Sequence, residues 1–208
     1  MPTTRSTSRA AATARTDVLS QLKEDHKRVK KAYRDFQKLD VEDDPQTCQA
    51  LVLQVLDELT VHAALEEELL YPAARAAIAD VSLVDEAEVE HEGVHTLIDQ
   101  LRDMGPEDDK YAARFTVLCE YVLHHVKEEE GEMFPQLETA RLDWTPLAAQ
   151  MNERRQELTP PPESENGSAD DASADDAGPA DAPAPAPARG QRSQGGDAAA
   201  RRANGPGS

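Results

Sequence analysis

His125-Val-Lys-Glu-Glu129 followed by Phe134-Pro135, and an earlier counterpart His62-Ala-Ala-Leu-Glu66 followed by Tyr71-Pro72, decide the reading of this chain. In each, a Glu follows a His by four, and an aromatic-Pro pair falls nine and ten residues after the His. A His and a Glu four apart lie on one face of a helix, one turn from each other. Each pair can therefore address one metal-sized spot. Two such helices facing each other would supply two imidazoles and two carboxylates.

Working outward, apolar residues recur at helical spacing around both stretches. The His62 helix, expected from about Gln46 to Leu70, carries Val52, Val55, Leu59, His62, Glu66 and Leu69 on one stripe. The His125 helix, expected from about Lys110 to Met133, carries Phe115, Leu118, Val122, His125 and Glu129. Two further stripes precede them: Leu19, Leu22, His26, Val29, Tyr33, Phe36 between Asp17 and Leu39, and Val84, Ala87, His91, Val94, Ile98, Leu101 between Leu83 and Met104. Asp17 and Ser82 are the expected caps, Asp40 to Pro45 and Gly105 to Asp109 the turns, and Pro72 and Pro135 the points of kink or termination. Nothing reads as strand. The expected fold is all-α: an up-down-up-down four-helix bundle with a short trailing helix over 136–158. The bundle domain is placed at 17–158, between a disordered leader at 1–16 and a disordered Pro/Ala/Asp/Gly-rich tail at 159–208, too poor in apolar residues to order itself.

The 208 residues carry a net charge of −19, divided as +3 over 1–16, −18 over 17–159 and −4 over 160–208. Such an acidic middle segment disfavours nucleic acid and anionic membranes as partners and favours cations. Cys48 and Cys119 stand alone and read as buried packing residues. No apolar run of transmembrane length is apparent, and no apolar targeting segment argues for secretion. The Arg/Ser/Thr/Ala-rich start shares its composition with organelle transit peptides, but is read as a leader on a cytoplasmic protein.

The chain is internally doubled. Asp25-His26-Lys-Arg-Val29-Lys30 matches Glu90-His91-Glu-Gly-Val94-His95, and each precedes one His-x₃-Glu segment. The copies differ where the first has Lys30 and the second His95. The first pair of helices thus offers His26, His62 and Glu66, the second His91, His95, His125 and Glu129. If both carboxylates bridge two metals, the three-His metal is fully ligated and the two-His metal keeps an open position, as a reactive or binding site needs. A solvent molecule or Lys30 could fill that gap.

A single His on an apolar stripe is ordinarily a satisfied core residue. Five His and two Glu in one layer are another matter. Each unpaired buried carboxylate would cost ~3–5 kcal/mol in a domain stable by ~5–15 kcal/mol. Metal ions compensate the whole layer. Imidazole with carboxylate suits iron or manganese, and also zinc or copper; bridging carboxylates beside an open position favour redox-active iron. Second-sphere partners should exist, with Asp25 and Glu90 as candidates that solvent could equally claim. His124-x₃-Glu128 is a competing register, disfavoured because it leaves the apolar stripe. Glu67, Glu68, Glu128 and Glu130 read most simply as a solvated face. His91-Glu92-Gly93-Val94-His95 is a formal H-E-x-x-H zinc-protease pattern, but that reading leaves His26, His62, His125 and the doubling unexplained.

These seven positions, their order over four helices and the two aromatic-Pro segments resemble the hemerythrin-like (HHE cation-binding) domains, over about residues 17–140. The resemblance implies two non-haem iron ions with a bridging oxygen species. Carried over, His26 and His62 would hold one iron, His91, His95 and His125 the other, with Glu66 and Glu129 bridging. It implies dioxygen binding or sensing at the two-His iron. The alternatives it implies are a di-iron enzyme handling peroxide or nitric oxide, or an iron-holding and delivery protein. Glu129, four rather than five residues after its His, is closer to the bacterial and eukaryotic relatives than to the invertebrate oxygen carriers. No partner for the tail is implied.

Overall fold

The computed structural model describes residues 4–159, and among these there is no strand. The elements are α1 (Thr4–Phe36), α2 (Pro45–Leu65), α3 (Tyr71–Arg75), α4 (Ser82–Arg102), α5 (Tyr111–Glu128), α6 (Phe134–Thr139) and α7 (Trp144–Leu158). A five-residue π turn joins α2 to α3 (Glu66–Leu70), and another joins α5 to α6 (Glu129–Met133). Helices α1 and α4 each pack against both α2 and α5, which closes the antiparallel ring of a four-helix bundle, and α7 lies along α1. The all-α bundle with a trailing helix is the fold the apolar stripes predicted.

Several boundaries differ from the sequence-based expectation. Helix α1 begins at Thr4, not at Asp17, so residues 4–16 are helical rather than a disordered leader. Their composition is Ala-rich, which favours helix, and Ala14 and Val18 bury against the lower core. Ser82 is the first residue of α4 rather than its cap; its backbone N–H and hydroxyl both bond Asp80. Asp44 caps α2 by accepting from the Thr47 N–H at 3.2 Å, with Pro45 in the first turn where its missing N–H costs nothing. The stretch Pro45–Arg75 is, by length and composition alone, apolar enough to cross a membrane. In the bundle it is instead a core helix whose inner side carries His62 and Glu66. The tail expected to be disordered lies, from residue 160 on, outside the described residues.

Proline does not end either long helix. Its ring clashes with the carbonyl four residues back and it donates nothing. The wider π turn accommodates this ahead of each Pro. The turn closes when Tyr71 N–H bonds the Glu66 carbonyl, and likewise when Phe134 N–H bonds the Glu129 carbonyl. The aromatic of each aromatic-Pro pair is thereby brought round above its Glu.

Two apolar clusters fill the bundle. One contains Leu22, Leu65, Tyr71, Val84, Met133, Phe134 and residues of α7; the other contains Val29, Phe36, Val55, Leu59, Phe115 and Leu118. Between them runs a buried polar layer: Asp25, His26, His62, Glu66, His91, His125 and Glu129.

Candidate metal centre

Six of the seven sequence-predicted ligands meet in that layer. The Nε2 atoms of His26 and His62 lie 3.3 Å apart, and those of His91 and His125 3.2 Å apart. Glu66 Oε2 is 3.1 Å from His62 Nε2 and 3.6 Å from His91 Nε2. Glu129 Oε2 is 3.3 Å from His26 Nε2 and 3.5 Å from His125 Nε2. Each carboxylate therefore reaches both histidine pairs. Two donors roughly 2.1 Å from one ion at near right angles sit about 3 Å apart, so these spacings fit a pair of metals bridged by Glu66 and Glu129.

The outer partners make the same case by a separate route. Every inner imidazole has a carboxylate at Nδ1: Glu130 on His26 at 2.9 Å, Asp25 on His62 at 3.2 Å, Glu67 on His91 at 2.7 Å, and Glu90 on His125 at 2.8 Å. A carboxylate accepts, so Nδ1 carries the proton and Nε2 points a bare lone pair inward. Four lone pairs and two carboxylates then converge inside the bundle, and Glu66 Oε1 and Glu129 Oε2 are buried with no hydrogen-bond partner. Only cations neutralise such a set. In the metal-free chain protons would serve. Burial opposes charging of His62, but Glu66 and the bond to Asp25 outweigh it and push the ring up to about 10. Burial likewise opposes ionisation of Glu66, yet His62 and its neighbours pull the carboxyl down to about 2.

Asp25 and Glu90 thus each hold an inner imidazole from behind, and so do Glu67 and Glu130, which the sequence placed on a solvated face. The pattern is two-fold. The acid before the first His of each copy holds the second His of that copy, and the acid after each buried Glu (Glu66, Glu129) holds the first His of the other copy.

His95 does not join the centre. Its side chain is 42% exposed, and its Nε2 lies 2.7 Å from Glu67 Oε1. Lys30, the residue in its place in the first copy, donates to Glu130 at 3.1 Å. The Lys30/His95 difference therefore lies outside the buried layer, with each residue holding an outer carboxylate. Lys30 does not fill an inner position.

The residue that sequence reading missed is Tyr71. Its hydroxyl lies 3.1 Å from His91 Nε2, 3.4 Å from His125 Nε2, 3.4 Å from Glu66 Oε2 and 3.3 Å from Glu129 Oε1. It sits beside the His91/His125 pair, which the His95 ring does not reach. The signal was the aromatic-Pro offset: a π turn after Glu66 aims Tyr71 back at the centre. The matching aromatic, Phe134, has no hydroxyl and stacks on His26 with ring centroids 6.0 Å apart. The two halves thus differ in that one aromatic brings a hydroxyl to the buried layer and the other does not.

Above the layer is a cavity of about 20 Å³ lined by the four inner histidines and by Val29, Leu59, Val94 and Val122. It holds roughly one water-sized molecule.

A helical bundle with two imidazole pairs bridged by two buried carboxylates defines a protein built to hold metal cations at its core. The chain belongs to the hemerythrin family: the family model described as Hemerythrin HHE cation binding domain matches residues 17–137. It is similar in structure to a hemerythrin HHE cation-binding domain-containing protein of Mycobacterium kansasii, a homologue of Rv2633c, with 26% identity and a TM-score of 0.55 over 66% of this chain and 83% of that one. It is 30% identical over 110 residues to a Nostoc protein named a DNA nickase; the match covers 53% of this chain and 30% of that protein, so the chain spans under a third of its length.

Proposed function

We propose that the protein is a non-haem di-iron protein that binds dioxygen, or a ligand of that size, on the His26/His62 side of the centre. The observation that carries this reading is the cavity. It is bounded by ligand imidazoles below and by Val29, Leu59, Val94 and Val122 above, and its volume of about 20 Å³ excludes anything much larger than a diatomic or a peroxide. A bound iron pair would supply electrons and a ligand position facing that space. His26 and His62 would hold one iron, His91, His125 and Tyr71 the other, with Glu66 and Glu129 shared. Val29, Leu59, Val94 and Val122 limit the access of bulk water to that space, which Asp25 and Glu58 also border. Nitrogen and carboxylate donors together with a phenol suit iron, and a shared pair of carboxylates supports a redox-active iron pair over zinc.

The test is spectral. The metal-free protein is loaded with Fe(II) without air, oxygen is admitted, and the visible spectrum is followed as oxygen is then removed. A band that appears and vanishes again supports reversible binding. A band that persists, with a stable ferric centre, supports the second reading.

That second reading is an enzyme handling peroxide or nitric oxide, and Tyr71 favours it. A hydroxyl within hydrogen-bonding distance of both carboxylates can hold or deliver a proton at the centre, and the Glu67–His95 pair lies between His91 and the surface. Peroxide-dependent oxygen evolution that falls in Tyr71→Phe would establish it. Ready loss of iron to weak chelators would instead support iron holding and delivery. DNA cutting, the role named for the Nostoc relative, is disfavoured by a net charge of −19.

A further inference from the structure

One metal-ligating motif is left unused by the centre: His124-x₃-Glu128, one residue out of register with His125 and Glu129. His124 is 62% exposed, and its Nε2 lies 3.2 Å from Glu128 Oε1 and 3.6 Å from Glu90 Oε1. The three groups form a cluster in which a single ion could be held, and none of the three is an inner ligand. Glu90 works in two directions. Its Oε2 accepts from His125 Nδ1 at 2.8 Å, while its Oε1 faces His124.

A second observation joins the cluster to the interior. A small cleft of about 10 Å³, at most one water in size, is lined by Glu86, Glu90 and Glu128 from the outer side and by the buried His125, Glu129 and Met133. Glu129 is 1% exposed, and its Oε2 has no hydrogen-bond partner. The void is thus shared by two carboxylates of the outer trio, Glu90 and Glu128, and by Glu129 of the buried layer.

The comparable cluster of Glu67, His91 and His95 cannot play this part. His91 turns Nε2 to the centre, and its Nδ1 proton is given to Glu67, so only Glu67 and His95 remain for an outer ion.

We infer that Glu90, His124 and Glu128 form a capture site for a divalent transition-metal cation, from which the ion passes along the cleft to Glu129 and the centre. Two carboxylates with one imidazole suit Fe(II), Mn(II) or Co(II). The overall acidity of the bundle draws cations to the surface in general; the trio selects where they dwell. This inference rests on the reading of the buried layer as a metal centre.

The test uses the metal-free full-length chain mixed with Co(II) under argon, with growth of the visible Co(II) band followed in time. His124→Ala and Glu128→Gln are expected to slow loading about tenfold while the final band and the final metal content match wild type. Glu120→Gln removes one charge from the exposed side of the same helix and is expected to load at the wild-type rate. After the centre is full, Mn(II) titration by electron paramagnetic resonance should show one weaker equivalent per chain that His124→Ala lacks. Loading in His124→Ala and Glu128→Gln as fast as in Glu120→Gln would overturn the capture site while leaving the centre intact. Failure of the wild-type chain to take up Co(II) at all would overturn the metal-centre reading beneath it.

Discussion

At the scale of single residues, Tyr71 and His95 exchange the roles that spacing alone assigned them. His95 is four residues after His91, on the same helical face, so nothing in the sequence separates it from an inner ligand. Its imidazole stops at Glu67, whose carboxylate is shared with His91. His95→Ala should therefore keep two irons per chain by elemental analysis, whereas His62→Ala, which empties a position between Glu66 and Asp25, should lose at least one. Equal iron loss in the two variants would return His95 to the centre. Tyr71→Phe conserves volume in a site with no exposed surface and removes only the hydroxyl. If Tyr71 binds iron as a phenolate, the oxidised wild type has a visible phenolate-to-iron charge-transfer band and the variant has none; an unchanged spectrum would reduce Tyr71 to a hydrogen-bond donor. The legible part of the site was its chemistry at helical spacing, which foresaw the residues that converge in one buried layer, His95 excepted. Tyr71 was not legible because an α-helix directs residues five apart to different faces, and only the π turn brings them together.

At the scale of elements, the bundle was legible because four amphipathic stripes at a period of 3.6 leave few other ways to bury themselves. The start of α1 was not, since Ala, Ser, Thr and Arg give helix propensity without a stripe. Helix α7 was visible as a short apolar pattern, but its function was not. Arg155 from α7 reaches Asp25 Oδ2 at 2.7 Å, and Arg28 bonds the other oxygen. Burial opposes the Asp25 charge, but the bonds from His62 and Arg155 overcome it and hold the carboxyl down at about 2. Asp25 in turn fixes the Nδ1 proton of His62 and so the direction of its Nε2. Arg155→Met keeps most of the stem that packs on α1 and removes the guanidinium. It is expected to weaken metal retention about tenfold against a competing chelator and to lower stability by ~1–3 kcal/mol through the lost charged bond. A stability loss with unchanged metal retention would mean that α7 serves only as packing.

At the scale of the whole molecule, the buried layer makes stability depend on pH with opposite sign in the metal-free and loaded states. In the metal-free chain the His62 ring is raised from 6.5 to about 10 despite burial, because Glu66 and Asp25 surround it. A raised folded value means that the stabilisation is fully present below pH 6.5 and is lost as pH climbs through about 10. Glu66 has the opposite sign. Lowered from 4.5 to about 2 against the effect of burial, by His62 and the neighbouring imidazoles, it contributes above pH 4.5 and is lost as pH falls toward 2. The metal-free protein should thus be most stable between these limits and weaken steadily from pH 6.5 upward. A loss of about 2 kcal/mol on that limb would lower Tm by roughly 4–8 °C in a domain of this size. Metal binding reverses the trend, because each ion needs a bare Nε2 and competes with the same protons. The gap in Tm between loaded and metal-free protein should therefore widen from pH 6 to pH 9, and acid should release the metal before it unfolds the bundle. Differential scanning calorimetry of both forms across this range checks the sign directly. A metal-free Tm that stays flat or rises toward pH 9 would show that the layer is not held together by protons when metal is absent, and that its imidazoles find their compensation elsewhere.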